Sequence, residues 1–237
     1  MKRRYKVFIA IGSVVLVLGL LAGYFYMGML KQMNNEDPTY WEDDIVDIEA
    51  RYDTIPDVDI VFIGSSSIRK WDSLADDFSE YTVVNHGFGG SKVADSTYYY
   101  DRLVTPFTPE LVVIFSGTND VHGMSDNSKT GQQVFENFKD FYEKSQAETP
   151  GIPVVYISIT PTPSRWDVWS DAKEANDLIE AYAETQDNLY FVDAVDEFLI
   201  NGEPNKDLFQ GDNLHLTEEG YQIWAALIKN TVDLILK

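Results

Sequence analysis

A regular alternation of short apolar runs with longer segments of helical periodicity constrains the fold most strongly. Five runs rich in Val, Ile, Phe and Tyr have the length and composition of β-strands: residues 59–64, 81–85, 111–116, 153–159 and 189–193. Helical periodicity follows each run, at residues 67–78, 93–103, 131–147, 171–185 and 217–236. Thr217 is a natural N-cap for the last helix. Because alternating strands and helices form parallel sheets covered on both faces, we predict an α/β three-layer sandwich.

The amino terminus has the pattern of a membrane anchor. Four cations are followed by 24 residues without a charge, at 7–30; the cations are Lys2, Arg3, Arg4 and Lys6. At about 1.5 Å per residue this run forms a helix of roughly 36 Å, longer than a hydrocarbon core of about 30 Å. A cleaved signal peptide is the alternative, although its apolar region usually spans only about 7 to 15 residues. The cationic flank predicts a cytoplasmic amino terminus.

This pattern divides the chain into three parts. We expect a basic tail and transmembrane anchor in residues 1–30, a polar stalk in residues 31–40 and an extracytoplasmic domain in residues 41–237, which opens with an amphipathic helix at 41–52. With 44% apolar residues the chain has enough material for one sizeable core. The absence of cysteine excludes disulfides and thiol or Cys-ligated metal chemistry.

The predicted extracytoplasmic domain is strongly acidic. Without the four cations of the tail, 14 Lys and Arg remain against 39 Asp and Glu, a net charge of −25. Nucleic acid is therefore excluded as a partner, because binding to phosphates requires a basic face. Polyanionic substrates are also disfavoured. The simplest interpretation is that the acidity keeps the domain soluble.

A candidate nucleophile follows the first predicted strand. In open parallel sheets ligands bind outside the carboxyl ends of the strands, and Ser66 lies two residues beyond Gly64, where a missing Cβ permits a tight turn. A serine hydroxyl is a weak nucleophile until a nearby base takes its proton. Taken alone, the serine cluster at residues 65–67 is equally compatible with an ordinary turn or N-cap.

A candidate base lies near the carboxyl end. Asp212 precedes His215 by three residues, so its carboxylate can hold one ring nitrogen and leave the other facing a serine. A capping aspartate beside a surface histidine is the alternative. His86 and His122 also follow strand ends without an acid at that spacing; His122 is the second candidate for the base.

Three amide groups at the same sheet edge could stabilise an oxyanion. They are the backbone amides of Ser66 and Gly90 and the side-chain amide of Asn119. The alternatives are a simple turn at Gly90 and a capping role for Asn119. The glycines at 87, 89 and 90 do not have the spacing of a dinucleotide-binding fingerprint, and no phosphate-binding Lys-Ser/Thr pair follows them.

Together these segments resemble the sequence blocks of the SGNH (GDSL-like) hydrolases. The four blocks are Gly64-Ser65-Ser66, residues 85–91, Gly117-Thr118-Asn119-Asp120 and Asp212-x-x-His215, in family order, and the resemblance extends from residue 59 to the carboxyl end. Ser65 departs from the family pattern, which usually has aspartate there; the nucleophile position is unaffected.

The resemblance implies both a fold and a set of roles. The implied fold is a flavodoxin-like five-stranded sheet of order 2-1-3-4-5, with no cofactor or metal. The implied roles are Ser66 as nucleophile, His215 as base with Asp212 as its partner, and Gly90 and Asn119 as oxyanion donors.

Several side chains near the predicted edge are candidates for substrate binding. Four aromatic residues could wall an acyl or sugar pocket: Trp71, Phe88, Trp166 and Trp169. Arg165 could hold a polar or anionic group. Core packing and an ion pair are the respective alternatives. The leading hypothesis is hydrolysis of a small acyl ester, such as an acetyl group on a glycan, through an acyl-serine intermediate. Lysophospholipid or thioester hydrolysis, acyl transfer to a sugar hydroxyl and a non-catalytic binding module remain open.

Overall fold

A computed structural model describes residues 2–237, with side chains for residues 15–28 and 30–237. The chain divides into two units, Met1–Glu36 and Asp37–Lys237. In the first, helix α1 spans Lys2–Met33, and its Val15–Met33 portion is long and apolar enough to cross a membrane, a property that signal sequences share. The four cations that predict the orientation lie outside the described side chains.

The second unit begins earlier than predicted. The expected stalk at 31–40 is partly helical, because α1 continues to Met33, and Pro38–Trp41 already forms a 3-10 turn. The Asp37 carboxylate caps this turn by accepting a hydrogen bond from the Thr39 amide at 3.0 Å, and the Tyr99 hydroxyl donates to the Pro38 carbonyl at 3.0 Å. Pro38 is therefore anchored to the globular unit.

Five parallel strands form the central sheet of the second unit. They are β1 Ile60–Gly64, β2 Val83–Gly87, β3 Leu111–Phe115, β4 Val154–Ile157 and β5 Leu189–Val192. Their order is β2-β1-β3-β4-β5, which confirms the flavodoxin-like arrangement that the family resemblance implies. The register aligns the ends of three strands, since Gly64 is level with both Gly87 and Phe115. The loops that follow β1, β2 and β3 consequently meet at one edge.

Helices cover both faces of the sheet, as predicted. They are α2 Glu42–Glu49, α3 Ser66–Arg69, α4 Leu74–Asp77, α5 Val93–Tyr98, α6 Tyr100–Leu103, α7 Gly131–Glu148, α8 Trp169–Ala183 and α9 Glu218–Leu236. Thr217 caps α9 by accepting from the Gly220 amide at 3.4 Å. Alternate strand residues supply the two core layers: Val61 and Ile63 pack on one face, and Ile60 and Phe62 on the other.

Two predicted helices are interrupted and one hairpin was not predicted. The segment 67–78 forms two short helices, α3 and α4, and Trp71 and Ser73, which lie between them, both donate to the Asp77 carboxylate. The segment 93–103 is divided at Tyr99. A short hairpin pairs β6 Leu199–Ile200 with β7 Glu203–Pro204.

Candidate active site

The turn after β1 presents Ser66 at the edge of the sheet. Gly64 has φ +135, and a Cβ at this position would lie 2.0 Å from the Phe115 carbonyl oxygen, so no other residue fits without movement of the backbone. The next amide, that of Ser65, donates to the same carbonyl at 3.1 Å. The strand therefore ends sharply, and Ser66 becomes the first residue of α3, with a half-buried side chain.

The Ser66 hydroxyl lies in a chain of hydrogen bonds with His215 and Asp212. Oγ of Ser66 is 2.8 Å from Nε2 of His215, and Nδ1 of the same ring is 2.6 Å from Oδ2 of Asp212. A carboxylate only accepts, so Nδ1 carries the proton and Nε2 is free to accept from the serine hydroxyl. The arrangement can take a proton from Ser66 and stabilise the resulting imidazolium.

Asp212 is held in place by its own loop. Its Oδ1 accepts from the backbone amides of Leu214 and His215, each at 3.0 Å. Burial acts to raise the pKa of Asp212, but the bond from the His215 ring and the two amide bonds outweigh it and lower the pKa to about 2. Asp212 is consequently a carboxylate throughout the neutral range.

The loop after β2 is fixed next to the Ser66 turn. Gly90 has φ +85, and its loop is tied to the Gly64 carbonyl by the Phe88 amide at 2.9 Å and the Ser91 hydroxyl at 3.2 Å. Asn119, after β3, donates from Nδ2 to the Ser91 carbonyl at 2.9 Å.

These contacts leave amide hydrogens available at the sheet edge. Within the described part of the chain, the backbone amides of Ser66 and Gly90 donate to no protein acceptor. The Asn119 amide group has a second hydrogen beyond the one used by Ser91. The structure thus brings the three predicted oxyanion donors into one group of loops.

Asp120 also holds the segment that follows β2. Its side chain is buried, and Oδ2 accepts from the Val93 amide at 3.1 Å. Burial raises the pKa of Asp120 to about 7. Asn119 and Asp120 together hold the loop at Ser91 and Val93, a role that the sequence motif alone did not reveal.

The other two histidines have local partners. His86 is buried, with Nδ1 2.7 Å from the Leu103 carbonyl and Nε2 3.0 Å from the Tyr52 hydroxyl, and burial lowers its pKa to about 4. His122, the second candidate base, is also buried, and its Nδ1 accepts from the Met124 amide. Among the described residues, no group of three or more His, Cys, Asp or Glu side chains is placed to hold a metal ion.

Two of the candidate substrate-binding residues belong to the core instead. Trp71 is 1% exposed and stacks on Tyr221 with ring centroids 5.2 Å apart; Phe88 is 0% exposed and packs edge-on against Trp41. Their predicted role as pocket walls is therefore wrong, because neither ring faces solvent.

Trp166 has a different environment from those two aromatic residues. Its ring is partly exposed and stacks on Trp169, with centroids 5.9 Å apart. The segment that carries it is joined to the Asp212–His215 loop, since the Ser164 amide donates to the Asn213 carbonyl at 3.0 Å. Trp166 thus remains a candidate for substrate contact.

Two cations lie on segments that contact the Asp212–His215 loop. The predicted Arg165 is partly buried, and its Nη1 donates to the Ser164 carbonyl at 3.3 Å. Lys70 was not predicted; its Nζ lies 3.0 Å from Nδ1 of His215. The sequence held one signal for Lys70, its position one helical turn after Ser66, but a contact spanning 145 residues could not be read from it.

A hydroxyl, an imidazole and a carboxylate in sequence, at the strand ends of a doubly covered parallel sheet, define a serine hydrolase site. The model of the GDSL-like lipase/acylhydrolase family matches residues 56–223. The chain belongs to this family and is a serine ester hydrolase. The comparison with curated proteins gave no match.

Solved structures of other esterases and lipases share the fold. A GDSL-like lipase of Bacteroides thetaiotaomicron is 24% identical, with a TM-score of 0.68 over 84% of this chain and 100% of that one. A lipase/acylhydrolase of Enterococcus faecalis is 22% identical, with a TM-score of 0.57 over 76% and 97% of the two chains. A carbohydrate esterase family 3 protein of Talaromyces cellulolyticus is 18% identical, with a TM-score of 0.60 over 75% and 98%.

Proposed function

We propose that the protein hydrolyses a small acyl ester with Ser66 as nucleophile, His215 as general base and Asp212 as the group that orients the imidazole. The observation that carries this proposal is the chain of hydrogen bonds from Ser66 through His215 to Asp212, at 2.8 and 2.6 Å. Such a chain activates an otherwise weak nucleophile and fixes the tautomer that can accept its proton.

The reaction proceeds through an acyl-serine. Oγ of Ser66 attacks the ester carbonyl carbon while its proton moves to Nε2 of His215. The amides of Ser66, Gly90 and Asn119 donate to the oxyanion that forms. His215 then gives its proton to the departing alcohol. A water molecule, deprotonated by the same nitrogen, attacks the acyl-serine and releases the carboxylic acid and the free serine.

An acetyl group on a glycan is the substrate we favour. Because Trp71 and Phe88 lie in the core, they offer no apolar wall for a long acyl chain near Ser66. The stacked, partly exposed rings of Trp166 and Trp169 provide an aromatic surface suited to a sugar ring. The fold similarity to a carbohydrate esterase is consistent with this assignment.

A chain-length series tests the proposal directly. The full-length protein in detergent micelles is assayed on 4-nitrophenyl acetate, butyrate, octanoate and palmitate. Acetate should be hydrolysed fastest, and Ser66→Ala should lower kcat by at least about 10³-fold. Ser65→Ala and Ser67→Ala are matched controls that should retain activity. Equal rates for wild type and Ser66→Ala would contradict the proposal.

Two further outcomes separate the alternative functions. A preference for octanoate or palmitate would instead favour a lysophospholipase or thioesterase. Labelling of Ser66 by a fluorophosphonate probe separates an enzyme from a binding module, which should remain unlabelled.

We also propose that α1 anchors the protein with its catalytic unit outside the cytoplasm. The support is the apolar Val15–Met33 segment together with the basic residues that precede it in the sequence. Protease added to intact cells should digest the domain, and protection from digestion would reverse the orientation.

A further inference from the structure

Within the described residues, Lys70 and Arg165 have no carboxylate partner, unlike several cations elsewhere on this chain. Arg102 pairs with Glu42 at 2.8 Å and Glu49 at 2.7 Å, and Lys173 pairs with Asp177 at 2.7 Å. By contrast, among the side chains that the structure describes, neither Lys70 nor Arg165 has a carboxylate within 4.0 Å. Other described cations, such as Arg51 and Lys206, also have no carboxylate within 4.0 Å, so Lys70 and Arg165 are distinguished by their connection to the Asp212–His215 loop.

Arg165 carries a desolvation cost that no neighbouring acid offsets. Its Nε is buried without a hydrogen-bond partner within the described part of the protein, and Nη1 reaches only the Ser164 carbonyl. Burial lowers the pKa of the guanidinium. An anion from outside the chain would stabilise this partly buried cation.

Lys70 occupies a position that is unfavourable for catalysis in the free enzyme. Its ammonium lies 3.0 Å from Nδ1 of His215, the nitrogen that already directs its proton to Asp212. When His215 takes the Ser66 proton, the ring becomes a cation beside another cation, and the two repel each other. An anion that drew Lys70 towards itself would relieve this repulsion.

Both cations are connected to the Asp212–His215 loop. Lys70 contacts the loop through His215, and Arg165 follows Ser164, whose amide donates to the Asn213 carbonyl at 3.0 Å. A group bound by either cation would therefore lie next to the loop that carries the base.

We propose that Lys70 and Arg165 form a subsite for a carboxylate of the substrate, so that the enzyme prefers acyl esters that carry a negative charge near the scissile bond. The inference rests on the proposed function and narrows its substrate class to acidic esters, such as O-acetylated sugars that carry a uronate carboxylate. It reverses the expectation, drawn from the acidic composition, that polyanionic substrates are disfavoured. Binding of that carboxylate moves Lys70 away from His215 and thereby couples substrate recognition to activation of the base.

Two glycans that differ only in the charge of their carboxylates test whether the enzyme recognises that charge. The full chain in detergent is assayed for acetate release from O-acetylated galacturonate oligosaccharides and from the same oligosaccharides after methyl esterification of the carboxylates. The buffer contains 0.15 M salt, because at this ionic strength the repulsion from the distant acidic surface is screened beyond about 8 Å. Mono-4-nitrophenyl succinate, compared with 4-nitrophenyl acetate, tests whether a charge on the acyl side is accepted instead.

The subsite predicts a preference that depends on both cations. Wild type should show a kcat/KM about 10-fold or more higher for the acidic glycan than for its methyl ester, as charge-assisted hydrogen bonds provide. Lys70→Gln and Arg165→Gln should each bring this ratio close to one. Lys206→Gln, which removes an exposed cation elsewhere, should leave the ratio unchanged.

The possible failures are distinguishable. A wild type that hydrolyses both glycans equally, or a preference that survives in both variants, overturns the subsite and leaves the proposed function intact. A wild type with no Ser66-dependent hydrolysis of any substrate overturns both. A preference limited to the succinate ester would keep the subsite and assign the carboxylate to the acyl group.

Discussion

Asn119 donates from its side-chain amide to the carbonyl oxygen of Ser91 at 2.9 Å. Ser91 directly follows Gly90, so this bond fixes the loop that presents the Gly90 amide. Since the same amide group retains a second hydrogen, Asn119 both holds the proposed oxyanion donor Gly90 in place and can act as a further donor. The two functions depend on a single side chain.

Replacing this side chain should therefore weaken the proposed oxyanion site in two ways, by removing one donor and by releasing the loop that carries the Gly90 amide. Asn119→Ala is expected to lower kcat by about 10² to 10³-fold, the usual cost of one lost donor, with a further loss if the Gly90 loop moves. KM for 4-nitrophenyl acetate should change much less, because the interaction develops in the transition state. A kcat within a few fold of wild type in a folded variant would remove Asn119 from the mechanism.

We expect the Asp212 carboxylate to affect catalysis because it selects the tautomer of the His215 ring. Asp212→Asn preserves the shape of the loop but presents an amide that can donate to Nδ1, which leaves the proton on Nε2 facing Ser66. We expect kcat to fall by about 10² to 10⁴-fold. Asp207→Asn, a change at an exposed carboxylate of the preceding turn, serves as the control. Comparable activity in the two variants would argue against the assigned role.

Gly64 is a position where the backbone leaves no room for a side chain. An added Cβ would lie 2.0 Å from the Phe115 carbonyl oxygen, and φ is +135, a conformation unfavourable for any residue with a side chain. Gly64→Ala should destabilise the domain by about 3 kcal/mol or more and displace Ser66. Gly211→Ala is a suitable comparison, since a Cβ there meets no atom within 4 Å. Thermal unfolding measures both, and equal melting temperatures would contradict the predicted strain.

Much of the fold could be predicted because buried parallel strands have a simple signature. Each of the five apolar runs contains a strand, and the observed ends differ from the predicted ones by only one or two residues. Helix interruptions were harder to predict. The break after α3 contains Trp71 and Ser73, whose bonds to Asp77 become visible only in three dimensions. The hairpin at residues 199–204 did carry a local signal, an Asn201-Gly202 turn with positive φ at both positions.

The candidate site was predictable where topology determines position. Strand ends in a parallel sheet meet at one edge, so residues that follow different strands could be assigned to one site without knowledge of the distances. The exposure of the aromatic residues could not be predicted in this way. Trp71 and Trp166 both lie in segments that follow a predicted strand, but of these two only Trp166 reaches solvent. The position of Lys70 beside His215 is a long-range contact that no local pattern encodes.

His86 should make stability depend on pH between about 6.5 and 4. In the folded state burial lowers its pKa from 6.5 to about 4, and the bond to the Leu103 carbonyl, which acts to raise the pKa, offsets only part of this effect. The unfolded chain therefore binds a proton first as pH falls, so the stabilisation is complete above pH 6.5 and is progressively lost down to pH 4, by about 3 kcal/mol in total. His86→Gln removes this titration. Urea unfolding at pH 7, 5.5 and 4.5 should show that wild type loses more stability on acidification than the variant does. The raised pKa of Asp120 has the opposite effect, because it increases stability as pH falls. Asp120 is present in both proteins, so its contribution cancels when their stability losses are compared. Parallel losses in the two proteins would show that His86 does not sense pH.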